Sequence, residues 1–194
     1  MKINYLELIS ASTCLATVFF KTKQKVCAWP ISLIGILTGF FVYYKAKLYA
    51  KCLLNIIYFL LAIYGWYQWL YGGKNKTPLQ VSKISFQTFV VLLVIGLLST
   101  LSLGRILANH TDADLVYWDA SHASFSPIAA WMAAKKKLES WMLWIALDIF
   151  YLGVCYYKGL CLFSISHGVY TILGVYGYIR WKKAYLRQKR QATI

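Results

Sequence analysis

The chain has 194 residues, of which 60% are hydrophobic and 14% charged. Soluble domains carry about 45–50% apolar residues, and a core of this size cannot bury the excess, so much of it must face lipid. The net charge of +15 does not mark a nucleic-acid binder, because the Lys and Arg residues gather at the ends of apolar segments and not along one face.

A membrane span takes about 20 mostly apolar residues, which leaves no room for a soluble domain. The apolar pattern predicts an all-α membrane protein of seven helices, over residues 4–21, 27–45, 48–71, 84–104, 115–134, 139–157 and 160–181, with a basic cytoplasmic tail over 182–194. The first helix is not read as a signal peptide: Glu7 lies inside it, only Lys2 precedes it, and no small-residue cleavage site follows. Helix 2 carries Gly35, Thr38 and Gly39, small residues that permit close packing or line a narrow passage. Helix 3 places Asn55, Tyr58, Ala62 and Trp66 or Trp69 on one face, with Asn55 an amide at mid-membrane depth. Its closing run Tyr64-Gly65-Trp66-Tyr67-Gln68-Trp69 has the composition of an interfacial anchor.

Helix 6 holds the most informative residue. Asp148 lies about ten residues into it, where an ionised side chain costs about 2.5–3.5 kcal/mol on insertion scales. Such a group faces a polar partner on another helix or a cavity. Trp141, Trp144, Asp148 and Tyr151 fall at i, i+3, i+7 and i+10 on one face. Two indoles and a phenol beside a carboxylate suit a flat, cationic heteroaromatic through stacking, cation–π attraction and charge. Trp141 is also close enough to the membrane surface for a belt residue. In helix 7, His167 is a polar group at mid-membrane depth; for it and Asn55 a helix–helix hydrogen bond is the plainer role.

Counting Lys and Arg on alternate sides of the seven segments gives fifteen against six. The positive-inside rule then places the N-terminus outside and the C-terminus in the cytoplasm, consistent with an odd number of spans. The chain also repeats itself. At an offset of 112 residues, Tyr5 meets Tyr117, Lys23 meets Lys135, Lys25 meets Lys137, Trp29 meets Trp141 and Tyr44 meets Tyr156. Further on, Leu48 meets Leu160, Asn55 meets His167, Tyr58 meets Tyr170, Tyr64-Gly65 meets Tyr176-Gly177 and Trp69 meets Trp181. Helices 1–3 (about 4–71) and 5–7 (about 115–181) therefore read as two copies of a three-helix unit joined by helix 4 (about 84–104). One linking span returns the second copy in the same orientation, a parallel-repeat transporter plan with a path between the halves.

Five cysteines (14, 27, 52, 155 and 161) show no CxxC or metal-ligand spacing. Asn75-Lys-Thr and Asn109-His-Thr match the weak glycosylation pattern. No HExxH, GxSxG, phosphate-binding GxxxxGK[ST] or carboxylate cluster is present, so neither an enzyme nor a cofactor or metal is expected.

The stretch Lys47-Leu48-Tyr49-Ala50, then Tyr58 and Tyr64-Gly65-Trp66-Tyr67-Gln68-Trp69, resembles helix 3 of the PnuC family of vitamin transporters. Trp118-Asp119 and Leu138-Glu139-Ser140-Trp141-Met142-Leu143-Trp144 with Asp148 resemble its second half. The resemblance implies a 3+1+3, SWEET-like fold in a bacterial inner membrane, assembled as a homotrimer. It also implies facilitated diffusion of nicotinamide riboside or a similar vitamin, with phosphorylation in the cytoplasm trapping the solute. Trp141 and Trp144 match the family's Trp-x-x-Trp positions at the substrate. The riboside carriers resemble one another in having Asn where this chain has Asp148 and Gln where it has Asn55, so the substrate is left open. The family includes thiamine and riboflavin branches, and thiamine, a permanent cation, suits Asp148.

Overall fold

The structure, a computed structural model, describes residues 5–111 and 115–191. Lys2, counted in the orientation tally, and the last three residues of the basic tail lie outside the described residues. Seven α-helices follow one another: α1 (Tyr5–Thr22), α2 (Ala28–Lys45), α3 (Tyr49–Tyr71), α4 (Phe86–His110), α5 (Val116–Ala134), α6 (Glu139–Tyr157) and α7 (Cys161–Gln191). Five match the expected segments to within a residue at each end, and α4 runs on to His110 where the expected segment ended near 104. The larger departure is α7, which continues to Gln191 where the apolar pattern ended near 181. Residues 182–191 are Lys, Ala, Tyr, Leu, Arg and Gln without Gly or Pro. Most are strong helix formers, so the helix persists after its hydrophobicity stops.

Four helices, α3, α4, α6 and α7, are long and apolar enough to cross a membrane by length and composition. Of the other three, α1 carries two Ser and three Thr and α5 three Ser and a His, and the cavity described below accounts for part of that polarity. By contrast, Leu97, Leu98, Leu101 and Ile106 on α4 are each more than half exposed, an apolar surface suited to lipid. α4 packs on α5, where the rings of Phe125 and Tyr117 sit against Gly96 and Gly104.

Residues 112 apart occupy matching surroundings. Gln24 and Lys136, in the α1–α2 and α5–α6 turns, both have positive φ (55° and 47°); Lys47 and Gly159, in the next pair of turns, follow suit (57° and 69°). Lys25 N donates to Phe20 O and Lys137 N to Met132 O, at 3.0 and 2.8 Å. Leu48 N to Tyr43 O and Leu160 N to Cys155 O form the second pair, at 2.9 and 2.8 Å. These bonds reach back five residues around a left-handed residue and satisfy carbonyls that each ending helix leaves free.

The core is built on tryptophan. Trp29 and Trp69 meet edge to face at 5.4 Å and 89°, and Trp141 and Trp181 do so at the same distance and angle. Trp69 and Trp181 then meet each other at 5.8 Å. Each reaches across the halves: Trp69 Nε1 donates to Ala133 O at 3.1 Å, and Trp181 Nε1 to Lys21 O at 3.0 Å. The ring of Trp29 presses on Gly65 and that of Trp141 on Gly177, where a Cβ would lie only 2.2 and 2.7 Å away. α3 touches α5 and α1 touches α7, so the halves meet along two seams.

The α3–α4 linker is strapped to the α5–α6 turn. Ser82 N donates to Lys136 O, Leu138 N donates to Ser82 O, and Ile84 N donates to the Glu139 carboxylate at 3.0 Å. Lys136 Nζ donates to Leu79 O at 2.8 Å and lies 4.6 Å from the Trp69 ring centre. Burial lowers the pKa of this lysine from 10.5 to about 8.

Candidate functional site

A cavity of about 440 Å³ lies among the six helices of the two groups, and every helix except α4 contributes to its wall. That volume falls in the range of small-molecule sites, about 300–1,000 Å³. Of the nine residues expected at a site, six line it: Asn55, Tyr58, Trp141, Trp144, Asp148 and His167. They come from α3, α6 and α7, so the fold brings together groups far apart in sequence.

The other three are not part of the lining. Thr38 turns back on its own helix, its hydroxyl donating to the carbonyls of Ile34 and Gly35 at 2.9 and 3.1 Å. Trp66 is 37% exposed on the outer side of α3, whereas Trp69, the other residue offered for that face, is fully buried. Tyr151 stands one layer behind the wall. Its hydroxyl donates to Asp119 at 2.5 Å and its ring packs at 5.2 Å from His167 and 4.4 Å from His122.

Asp148 is buried and has a partner: its Oδ1 is 2.8 Å from His167 Nδ1. With the carboxylate ionised the imidazole is the donor, and the pair resolves how a carboxylate is tolerated at this depth. Both members line the cavity, so this helix–helix contact forms part of its wall. His122 lines it too and lies 6.4 Å, ring to ring, from His167. Tyr58 OH donates to Ser126 Oγ at 2.6 Å, and that hydroxyl donates to His122 O at 2.6 Å, which fixes α3 against α5.

Trp141 is not a surface belt residue. It is 5% exposed, within the tryptophan core and on the cavity wall at once. Its twin Trp29 shares that position, and sequence reasoning left Trp29 out of the site. So were Tyr170, Thr17, Lys21, Ser140 and Trp181, all cavity-lining. The signal that finds Trp29 and Tyr170 is the repeat itself, since 112 residues separate them from Trp141 and Tyr58.

Five buried polar side-chain atoms have no hydrogen-bond partner among the described residues: Thr17 Oγ1, Trp29 Nε1, Asn55 Nδ2, Ser140 Oγ and Trp141 Nε1. Every one belongs to a residue that lines this cavity. Buried polar groups are nearly always paired, at a cost of about 1–3 kcal/mol when they are not. The unpaired atoms thus concentrate around one aromatic space, where they can receive polar groups. Lys21 adds a cation at the same end as Trp29, its Nζ 4.2 Å from that ring centre.

Residues 4–183 match the model of the nicotinamide mononucleotide transporter family. The chain belongs to this family. It is the family, also known as PnuC, that the helix 3 and helix 6 motifs resemble, and its members are transporters rather than enzymes. Among curated relatives, the nicotinamide riboside transporter PnuC of Escherichia coli is 19% identical over 92% of this chain and 85% of its own length. The PnuC protein of Neisseria mucosa is 24% identical over 97% of this chain and 76% of its own. The riboflavin/roseoflavin transporter RibM of Streptomyces davaonensis is 21% identical over 98% and 89%. The crystal structure of the vitamin B3 transporter PnuC superposes with a TM-score of 0.73 at 22% identity, over 94% of this chain and 83% of that one. The family's fold is thus shared across the multi-pass membrane domain.

Proposed function

We propose that this transporter carries a B-vitamin precursor across the bacterial inner membrane by facilitated diffusion, through the cavity between its halves. On this reading all seven helices span the bilayer, with the N-terminus outside and the C-terminus in the cytoplasm, and the lysine and arginine distribution supports that orientation. The working unit is a homotrimer, each protomer with its own cavity. Phosphorylation in the cytoplasm retains the solute.

The observation that carries this reading is the gathering of all five unpaired buried polar atoms on one aromatic cavity that also holds Asp148. Trp144 and Tyr58 offer ring faces, Asp148 a negative charge, and Asn55 and the two indole N–H groups hydrogen bonds. Nicotinamide riboside, a cationic ring bearing a polyhydroxyl group, uses every one of these features. Thiamine is the second candidate, because its permanent positive charge suits Asp148. Riboflavin, suggested by the RibM relative, is uncharged and gains least from the carboxylate. A membrane enzyme or a non-transporting subunit is the alternative from another class, and neither explains a solute-sized aromatic cavity between paired halves.

Titration of the purified protein with the three vitamins, read by quenching of tryptophan fluorescence, tests the assignment. Saturable binding of nicotinamide riboside that weakens at least tenfold in Trp144→Ala supports it. Binding of none of the three, or binding indifferent to Trp144, overturns it.

A further inference from the structure

We propose that the groove between the end of α1 and the outer face of α7 binds the headgroup of an anionic phospholipid. The groove holds about 380 Å³ and presents four cations: Lys23 from the α1–α2 turn and Arg180, Lys183 and Arg187 from α7. Among the described residues, no carboxylate lines it. On α7 the three cations follow at i, i+3 and i+7, one ridge facing one way. Arg180 is held in place by Tyr176, whose hydroxyl accepts from Nη1 at 2.9 Å.

The repeat shows that this charge is an addition and not a by-product of the fold. The positions 112 residues before Arg180, Lys183 and Arg187 are Gln68, Tyr71 and Asn75. The matching turn in the other half does carry cations, Lys135 and Lys136, but there the α3–α4 linker approaches and Leu79 O accepts from Lys136. α7 instead continues as a helix through Gln191, and its basic face stays open.

What precedes the cations on α7 selects a lipid over a soluble anion. Ile172, Val175 and Ile179 are exposed at 71%, 44% and 46%, an apolar row that runs up to Arg180. An acyl chain along that row places a phosphodiester among the four cations. Basic clusters just beyond the last apolar turn attract acidic headgroups, each Lys or Arg contributing roughly a fivefold gain in affinity. The assignment to the cytoplasmic leaflet rests on the orientation given under Proposed function.

Native mass spectrometry of the full-length protein, released from detergent with added phosphatidylglycerol or phosphatidylcholine, tests this. The expected result is preferential retention of phosphatidylglycerol, reduced on the order of twentyfold in Lys183→Gln/Arg187→Gln. The pair Lys45→Gln/Lys47→Gln, at the opposite ends of helices α2 and α3, should leave retention unchanged. Equal retention of the two lipids, or equal loss in both variant pairs, overturns the proposal. So does displacement of the lipid by millimolar glycerol phosphate, which would make the site one for a soluble anion. A C-terminal reporter separates the two readings: if it lies outside, the orientation falls and the leaflet with it. A cytoplasmic reporter without lipid preference overturns the lipid site alone.

Discussion

Substituting Gly65 with alanine is expected to unseat the tryptophan core. A Cβ there would lie 2.2, 2.4 and 2.6 Å from three carbons of the Trp29 ring, closer than any ordinary contact. The ring is pinned by Trp69 at 5.4 Å and cannot swing away without breaking that contact. Overpacking of this kind costs about 1–3 kcal/mol, whereas exchanging a helical Gly for Ala by itself gains about 1 kcal/mol. Gly153 in α6 isolates the second term, because nothing lies within 4 Å of a Cβ built on it. The two alanine variants should therefore differ by about 2 kcal/mol, or roughly 4–8 °C in Tm for a chain of this size. Thermal melting of both in the same detergent, followed by tryptophan emission, measures the difference. Adding Trp29→Leu to Gly65→Ala should recover part of the loss, while adding Trp141→Leu should not. Gly65→Ala melting at or above Gly153→Ala would refute the packing.

Asp148→Asn keeps a hydrogen-bonding group beside His167 and removes the charge. Bonds to charged groups exceed neutral ones by about 1–1.5 kcal/mol, so a cationic vitamin should bind about tenfold more weakly and riboflavin unchanged. Equal effects on charged and neutral ligands in the fluorescence titration would remove Asp148 from the site. Lys136 supplies a pH signature. Its pKa, lowered by burial from 10.5 to about 8, means that the folded protein sheds this proton before the unfolded chain does. Stability should thus rise between pH 8 and pH 10.5 and be insensitive to this group below pH 8. In Lys136→Met the rise should shrink, and a wild-type Tm no more pH-dependent than the variant's over that window would show that the lysine is not buried as described.

The helices were legible because spans are long apolar runs, and Asp148 stood out because a carboxylate in such a run needs a reason. The helices α1 and α5 were harder to judge by hydropathy, since Ser10 and Thr17 of α1 and His122 of α5 line the cavity. Single-helix periodicity offers Trp66, since it finds a face without saying what that face meets. Thr38 is offered for its small size beside Gly35 and Gly39, and of these three only the glycines line the cavity. Tyr151 shares the face of Asp148, yet Asp119 on α5 holds it behind His167, a contact between distant segments. Trp29 and Tyr170 were within reach, because the repeat that pairs them with Trp141 and Tyr58 had been found. Thr17, Lys21 and Ser140 carry no such signal, as their twins are Ala129, Ala133 and Ala28. The open basic groove on α7 needed the structure, since a run of Lys and Arg reads as an orientation signal until its neighbours are known.

The central claim, that the cavity between the halves is the route of a vitamin, is tested most directly by counterflow in liposomes containing only the purified protein. Vesicles preloaded with unlabelled nicotinamide riboside should draw in the labelled compound with no ion gradient imposed, and Trp144→Ala should slow this on the order of tenfold. Absence of flux for nicotinamide riboside, thiamine and riboflavin alike, or flux unaltered by both Trp144→Ala and Asp148→Asn, would contradict it.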